Sequence, residues 1–209
     1  LNRGVHEPLE EFIFQQLLKK LHEKPLMLEL GAYWGHYSMW LKKTLPNSIV
    51  HMIEPEQQNL NAGKYNFEIN KLDGKFTNAF VGKGHFCVDK YLIEAEIRTL
   101  DILHCDIQGY ELEMLHDCSN ALIENKINYI FISTHSQSIH NEILKKIASF
   151  NYRIEVSSDF ENETTSFDGL VFASSKNVSP IFIDFKPLGR EDIVKTSTTE
   201  LLRFLSDLK

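Results

Sequence analysis

Short apolar runs alternate with segments of helical periodicity over most of the chain. A short apolar run fits a buried parallel strand, and apolar residues at every third or fourth position fit a helix packed on the sheet. The runs predict strands at residues 26–28, 49–53, 76–81, 99–105 and 128–133, with a short extended segment at 86–88. The periodic segments predict helices at residues 8–21, 37–45, 56–69, 110–115 and 139–150.

The C-terminal part of the chain has a different pattern. Residues 152–156 and 169–173 predict two consecutive strands that could pair as a hairpin around a polar stretch. Ser197 and Glu200, just before Leu201, form the pattern of a capping box that opens a final helix. Strands that alternate with helices and then end in two strands predict an α/β fold, a mainly parallel sheet with helices on both faces.

The length of 209 residues fits one domain with one core. We expect an N-terminal helix and candidate lid over residues 1–24, the core sheet over 25–175, and a tail with a helix over 176–209. The chain begins with Leu1 rather than Met, which suggests a module excised from a longer protein.

Composition narrows the classes of partner. Lys and Arg number 22 against 29 Asp and Glu, and the net charge of −7 argues against a polyanion such as duplex DNA. No apolar run approaches the length of a membrane span. Cys87, Cys105 and Cys118 lack the spacing of a metal site, so they predict free thiols in the reducing cytoplasm and no zinc.

The most informative stretch is residues 26–38, where an apolar strand runs into an acid and two glycines before a helix begins. Gly31 and Gly35 allow a tight turn or a close approach of a ligand to the backbone. Tyr33 occupies the place of the middle glycine in the dinucleotide pattern, so the turn predicts a nucleotide-like ligand without indicating NAD.

Polar residues follow successive predicted strands, and the carboxyl ends of parallel strands meet in one crevice. These residues are Glu29, Glu54, Asp106 and His135. Glu54 comes about twenty residues after the turn, the interval at which an acid reaches a ribose diol. Glu29 is equally able to hold a ligand ammonium group or to accept backbone amides of the turn.

His135 and the segment from Asp106 to Glu111 are the candidate chemical groups at the later strands. An acid at the start of a helix is favoured by the helix dipole, which accounts well for Glu111 and less well for Asp106. A lone histidine is more often structural than catalytic, so the residues alone leave both roles of His135 open. His51 and His104 lie inside strand runs and are predicted to pack in the core.

Four segments together resemble the FkbM-type class I methyltransferases. They are Glu-Leu-Gly-Ala-Tyr-Trp-Gly-His-Tyr-Ser at 29–38, Ile-Glu-Pro at 53–55, the stretch 103–115 with Asp-Ile-Gln-Gly-Tyr-Glu, and Ser-Thr-His-Ser at 133–136. The resemblance implies a Rossmann-like, seven-stranded sheet of order 3-2-1-4-5-7-6 with strand 7 antiparallel. One departure is His104, which stands where many relatives have Lys.

The resemblance also implies S-adenosylmethionine as the methyl donor and a hydroxyl of a sugar or glycan as the acceptor. Glu54 would bind the ribose, Asp106 would face the sulfonium, and His135 would act as general base. The remaining donor contacts implied are Glu29, Gly31, Ala32, Tyr33, Trp34, Gly35, Tyr37, Ser38 and Gln108. Residues 3–11, with His6 and Glu7, are expected to close over the crevice and help to bind the acceptor, unless they are only a solvated helix start.

Several alternatives remain open at this point. The acceptor could be a small natural product instead of a glycan, and other glycan-processing domains could be fused to this one. A nucleic-acid methyltransferase would prefer a basic face, and an NAD enzyme or non-catalytic nucleotide-binding module would prefer the missing glycine pattern. A divalent ion held by Asp106, Glu111 and His135 competes with the general-base role, although nothing in the spacing requires a metal.

Overall fold

The computed structural model describes residues 5–207 and contains a seven-stranded sheet of order β3-β2-β1-β4-β5-β7-β6. Strand β7 is antiparallel to both of its neighbours, and the other pairings are parallel. The strands are β1 (Leu26–Leu30), β2 (Ile49–Ile53), β3 (Lys75–Thr77), β4 (Leu100–Cys105), β5 (Ile127–Thr134), β6 (Arg153–Ser158) and β7 (Gly169–Ser174). The order and the antiparallel β7 confirm the predicted fold class.

Helices cover both faces of this sheet. They are α1 (Pro8–Leu18), α2 (His36–Thr44), α3 (Gln57–Ile69), α4 (Val88–Glu94), α5 (Glu111–Asp117), α6 (Ser119–Ile123), α7 (Gln137–Ser149), α8 (Arg190–Lys195) and α9 (Thr198–Asp207). On one face Phe14 of α1 and Leu41 of α2 join the apolar core, and on the other Leu115 of α5 and Ile143 of α7 do so. The sheet is therefore buried on both faces, which explains its continuous apolar runs.

The segment between β3 and β4 differs from the prediction. Strand β3 ends at Thr77 instead of reaching residue 81, and Val88 opens helix α4 where an extended segment was expected. Helix α4 has seven residues and buries only Val88 and Leu92, too few positions to establish a period. Its Asp89 accepts backbone N–H groups of Asn120 and Ala121, a contact that only the folded chain provides.

The C-terminal tail begins beside the sheet and ends in the predicted helix. Ser197 and Glu200 form the capping box at the start of α9. Before it, the Phe182 ring lies 5.9 Å from the ring of Phe12 on α1, so the tail covers the outer side of that helix. The short helix α8, which has no buried residue, was not predicted.

Two further observations concern membrane-spanning helices and thiols. Within residues 5–207, no helix combines the length and apolar character that a membrane crossing requires. Cys87, Cys105 and Cys118 are free, as predicted.

The antiparallel strand β7 brings a further loop to the edge at which the parallel strands end, which we call the functional edge of the sheet. A parallel strand ends at this edge, whereas an antiparallel strand begins there. Gly169, the first residue of β7, pairs with Thr134, the last residue of β5. The residues just outside this pair, Asp168 and His135, therefore lie next to each other.

Candidate active site

A cavity of about 620 Å³ opens at the carboxyl edge of β1, β2 and β4. Its border includes the turn after β1, Glu54 after β2, Asp106 after β4 and Glu7 just before α1. This volume is within the range of small-molecule sites, and its place is where α/β sheets bind ligands.

The turn after β1 has an unusual backbone. Gly31, Tyr33 and Gly35 all have positive φ, at 74°, 48° and 78°. Positive φ is uncommon for tyrosine, and such conformations cluster at functional sites. A Cβ on Gly31 would lie 1.6 Å from the backbone oxygen of Asp106. Glycine is thus required here because the turn packs against the end of β4, and not only because a ligand needs space.

Glu54 is fixed at the cavity wall by groups of the adjoining turns. Its carboxylate accepts the backbone N–H of Tyr33 at 2.8 Å and that of Glu56 at 2.9 Å, with the Asn59 amide at 3.4 Å. The side chain is buried, yet it borders the cavity. The carboxylate is therefore held in one orientation before any ligand arrives.

Glu29 lies deeper, on β1. Its carboxylate accepts hydrogen bonds from the backbone N–H and the hydroxyl of Ser38 on α2. Burial raises the pKa of Glu29, and the nearby His104 opposes that rise. Ser38 is itself fully buried and does not border the cavity, so its contact with Glu29 is its role here.

His104 on β4 joins the sheet to α1. Its Nε2 bonds a carboxylate oxygen of Glu10, and the other oxygen of Glu10 accepts the Ser133 hydroxyl at 3.2 Å. Burial acts to lower the pKa of His104, but the adjacent Glu10 carboxylate outweighs it and raises the pKa to about 9. His104 is consequently an imidazolium at neutral pH. It borders the cavity, and its Nδ1 has no hydrogen-bond partner among the described residues.

His135 stands among three carboxylates at the ends of β4, β5 and β7. Its Nδ1 lies 2.7 Å from Oε1 of Glu111, and its Nε2 lies 3.2 Å from Asp106 and 3.6 Å from Asp168. The Nε2 contacts are ion pairs without well-aligned hydrogen-bond geometry. Asp106 and Asp168 border the cavity and His135 does not. The two carboxylates therefore lie between the imidazole and the cavity and contact both.

The carboxylates decide the protonation of this cluster. Burial acts to lower the pKa of His135, but Asp106 and Glu111 raise it to about 10. Burial acts in the other direction on Asp106, yet contact with His135 leaves the pKa of Asp106 below its usual range. At neutral pH the pair is an imidazolium and a carboxylate. Within residues 5–207 no three His, Cys, Asp or Glu side chains are grouped as a metal site requires.

The start of α1 borders the same cavity through His6 and Glu7. Glu7 is 7% exposed and accepts a long hydrogen bond, 3.4 Å, from the Tyr37 hydroxyl. Burial, reinforced by the charges of Glu10 and Asp106, raises the pKa of Glu7 to about 8. Residues 1–4, the start of the candidate lid and the first two residues of the segment 3–11 expected to close over the crevice, lie outside the described residues.

Replacing Glu7 with Gln should stabilise the protein in a pH-dependent way. Between pH 4.5, the ordinary pKa of Glu, and about pH 8, the unfolded chain releases a proton that the folded chain retains. Stability of the natural protein thus falls as pH rises through this window, by up to about 1.4 kcal/mol per pH unit. Thermal melts should show a Tm advantage of E7Q that grows from pH 4.5 to 8. A constant difference would refute the raised pKa.

The family model of the FkbM methyltransferase domain matches residues 85–154. This stretch contains β4 and β5 with Asp106 and His135. Over this third of its length the chain matches an FkbM methyltransferase domain, and the chain is a methyltransferase. Class I methyltransferases take the methyl group from S-adenosylmethionine, which is therefore the donor of this enzyme. No protein with a curated description matches the chain in sequence.

Solved structures share the fold of this methyltransferase at low sequence identity. Precorrin-6y C5,15-methyltransferase from Geobacter metallireducens GS-15 has 14% identity and a TM-score of 0.57, covering 81% of this chain and 88% of that one. TrmK of M. capricolum, in complex with S-adenosylhomocysteine, has 16% identity and a TM-score of 0.55, covering 93% and 81%. Methyltransferase FkbM from Methylobacillus flagellatus KT has 19% identity and a TM-score of 0.57, covering 72% of this chain and 44% of that chain.

Most of the residues predicted to bind the donor border one cavity of the methyltransferase. They are Glu29, Gly31, Ala32, Tyr33, Trp34, Tyr37, Glu54, Asp106 and Gln108. Gly35 and Ser38 do not border it. Gly35 precedes α2, where a Cβ would lie 3.1 Å from the Phe67 ring. In the structure these two residues lie behind the residues that border the cavity and pack against them.

His104 and Asp168 are among the residues at the cavity border that were not predicted to act there. His104 was expected to pack in the core, and the structure places it at the cavity with a bond to Glu10. A charged partner ninety-four residues away gives no local signal. Asp168 precedes an antiparallel strand, so it could have been found by asking which strand begins, instead of ends, at the functional edge.

Proposed function

We propose that this methyltransferase methylates a hydroxyl of a sugar or glycan. The observation that carries this proposal is the composition of the cavity border, where Asp106 and Asp168 contact His135 and where exposed aromatic rings also lie. Carboxylates accept hydrogen bonds from sugar hydroxyls, and aromatic rings offer flat apolar surfaces to sugar C–H faces. Tyr33, Phe80 and Tyr110 border the cavity and are 57%, 60% and 53% exposed.

The donor half of the proposal uses β1, β2 and β4. Glu54 would hold the ribose, Glu29 and the turn would hold the methionine portion, and Asp106 would face the sulfonium. The donor supplies a methyl group whose carbon–sulfur bond breaks as the new carbon–oxygen bond forms. Most of the rate enhancement then comes from the alignment that these fixed groups impose in a site with little water.

The acceptor half needs a group that takes the hydroxyl proton. His135 is our candidate base, and because it does not itself border the cavity, the hydroxyl proton reaches its Nε2 through Asp106, which contacts that atom and borders the cavity. Because its pKa is raised to about 10, it acts as a base only after losing its own proton. A cationic donor beside Asp106 lowers the pKa of His135, since like charges disfavour one another. The expected pH profile of kcat therefore rises with pH.

A nucleic-acid acceptor is disfavoured by the charge of the cavity. Within residues 5–207, neither Lys nor Arg borders it, whereas five acidic side chains do. Phosphate groups need cations or backbone N–H donors. We accordingly retain the glycan proposal. Separately, we propose the cytoplasmic location predicted from the cysteines.

A donor-dependent methylation screen tests the proposal. Deoxy sugars and hexose glycosides are offered with S-adenosylmethionine labelled in the methyl group, and products are identified by mass spectrometry and NMR. A methyl ether on a sugar oxygen is the expected product. Methylation of small aglycones or RNA alone would refute the sugar assignment, while calorimetric binding of S-adenosylmethionine but not NAD verifies the donor separately.

Replacing Glu54 with Ala should weaken donor binding by about 1–3 kcal/mol, because two charge-assisted hydrogen bonds to the ribose would be lost. Calorimetric titration with S-adenosylhomocysteine measures the change. The exposed neighbour Glu56, whose side chain makes no cap, supplies the matched control Glu56→Ala. Unchanged affinity in a folded Glu54→Ala protein would remove the ribose assignment.

A further inference from the structure

Glu111, the first residue of α5, makes two contacts through one carboxylate oxygen. Its Oε1 accepts the backbone N–H of Gly109 at 3.0 Å and lies 2.7 Å from Nδ1 of His135. The side chain is fully buried and does not border the cavity. An acid that serves only the helix dipole can stay in solvent, as Glu113 in the same helical turn does. Burial of Glu111 is costly, so its two contacts call for a separate role.

The contact with Gly109 supports the turn that follows β4. Gln108 and Gly109 both have positive φ, at 55° and 102°, a conformation that is uncommon for glutamine. The Gln108 amide donates to Oδ1 of Asp106 at 3.1 Å, and both residues border the cavity. Because Glu111 holds the N–H of Gly109 from behind, it helps to fix the segment that carries Asp106.

The contact with His135 decides which ring nitrogen keeps the proton. Oε1 of Glu111 already accepts an N–H of the backbone, so Nδ1 of His135 donates to it. When the imidazolium loses a proton, this hydrogen bond retains the one on Nδ1, and Nε2 becomes the accepting nitrogen. Nε2 is the atom that lies 3.2 Å from Asp106. The other tautomer would turn the lone pair of the ring towards Glu111 and leave no acceptor towards Asp106.

We propose that Glu111 is a positioning residue of the methyl transfer, which holds the His135 ring and keeps its proton on Nδ1 so that Nε2 accepts the hydroxyl proton. As the carbon–oxygen bond forms and the carbon–sulfur bond breaks, this proton passes through Asp106 to Nε2. The Glu111 carboxylate stabilises the imidazolium that results, which later releases the proton to solvent. This inference rests on the proposed role of His135 as base and adds the residue that orients it.

Nitrogen NMR of the imidazole rings tests the tautomer without any acceptor, with His135→Gln to assign the signals. In the natural protein, neutral His135 should carry its proton on Nδ1. Glu111→Gln retains an accepting oxygen but removes the negative charge, so the pKa of His135 should fall from about 10 to about 9 or below. The control Glu113→Gln, at the exposed acid of the same helical turn, should leave this pKa unchanged.

Steady-state rates against pH test the role on the acceptor that the methylation screen identifies. In Glu111→Gln the rising limb of kcat should move to lower pH together with the pKa of His135. The plateau of kcat should fall at least about tenfold, because the base is weaker and less well oriented. The Kd of S-adenosylhomocysteine should be nearly unchanged. A purely structural defect would lower the amount of active enzyme without moving the limb, and Glu113→Gln should behave as the natural protein does.

The outcomes separate the positioning role from the function on which it rests. A neutral His135 protonated on Nε2, or a Glu111→Gln enzyme with the natural pH profile and kcat, would refute the role of Glu111 even if sugars are methylated. If the screen finds another acceptor and no sugar, the proposed function fails, whereas a shifted limb on that acceptor still supports Glu111 and an unshifted limb refutes it. If no acceptor is found, or Glu111→Gln does not fold, the tautomer of the natural protein decides.

Discussion

Replacing Gly31 with Ala is expected to destabilise the protein by more than about 3 kcal/mol and to abolish donor binding. Positive φ costs a non-glycine residue about 1–2 kcal/mol, and overpacking typically costs a further 1–3 kcal/mol. Here the new Cβ would lie 1.6 Å from the backbone oxygen of Asp106, so either the turn or the end of β4 must move. The turn after β1 and the end of β4 both carry residues that border the cavity. Chemical denaturation and calorimetric titration with S-adenosylhomocysteine measure the two effects.

Gly84→Ala is the matched control for this substitution. Gly84 also has positive φ, at 84°, but a Cβ there would meet nothing within 4 Å. The Gly84→Ala protein should lose only the stability that positive φ costs a non-glycine residue, about 1–2 kcal/mol, and it should retain donor binding. Equal losses at both glycines would show that the contact with Asp106 is not the reason for glycine at position 31.

Replacing His135 with Ala is expected to lower kcat by about 10²–10⁴-fold while leaving donor affinity nearly unchanged, if the imidazole is the general base. The reason is that His135 contacts Asp106 at the cavity border but does not itself border the donor region. Steady-state rates on the sugar acceptor, with calorimetry for the donor, separate these quantities. His116→Ala, at an exposed histidine on α5, is the control.

The pH dependence makes the His135 prediction sharper. The rising limb of kcat in the natural protein should be absent in His135→Gln. Whereas kcat should rise with pH, the stability of the fold should fall, because the pKa of His135 is raised from 6.5 to about 10. Its ion pairs stabilise the fold fully below pH 6.5, and this contribution is lost as pH rises to about 10. A fully active His135→Ala enzyme would exclude a catalytic role, and activity lost in EDTA and restored by Mg²⁺ would favour the metal hypothesis.

The sequence alone was sufficient to predict the alternation of strands and helices and the edge of the sheet at which the cavity opens. Apolar runs at residues 49–53 and 128–133 are local signals, because a strand buried on both faces must be apolar throughout. The convergence of Glu29, Glu54 and Asp106 follows from the parallel strands, since their carboxyl ends must share one edge. The motif resemblance added the strand order, which no periodicity contains.

The tertiary structure alone decided how these groups act. The partnership of His104 with Glu10, and of His135 with Asp168, joins residues far apart in the chain, and no local pattern encodes it. Protonation is likewise a product of folding: the same imidazole is neutral or charged depending on burial and on neighbouring carboxylates. The same holds for Gly31. Its turn was evident in the sequence, whereas the backbone oxygen that excludes a side chain there belongs to Asp106, which directly follows β4 and lies far along the chain.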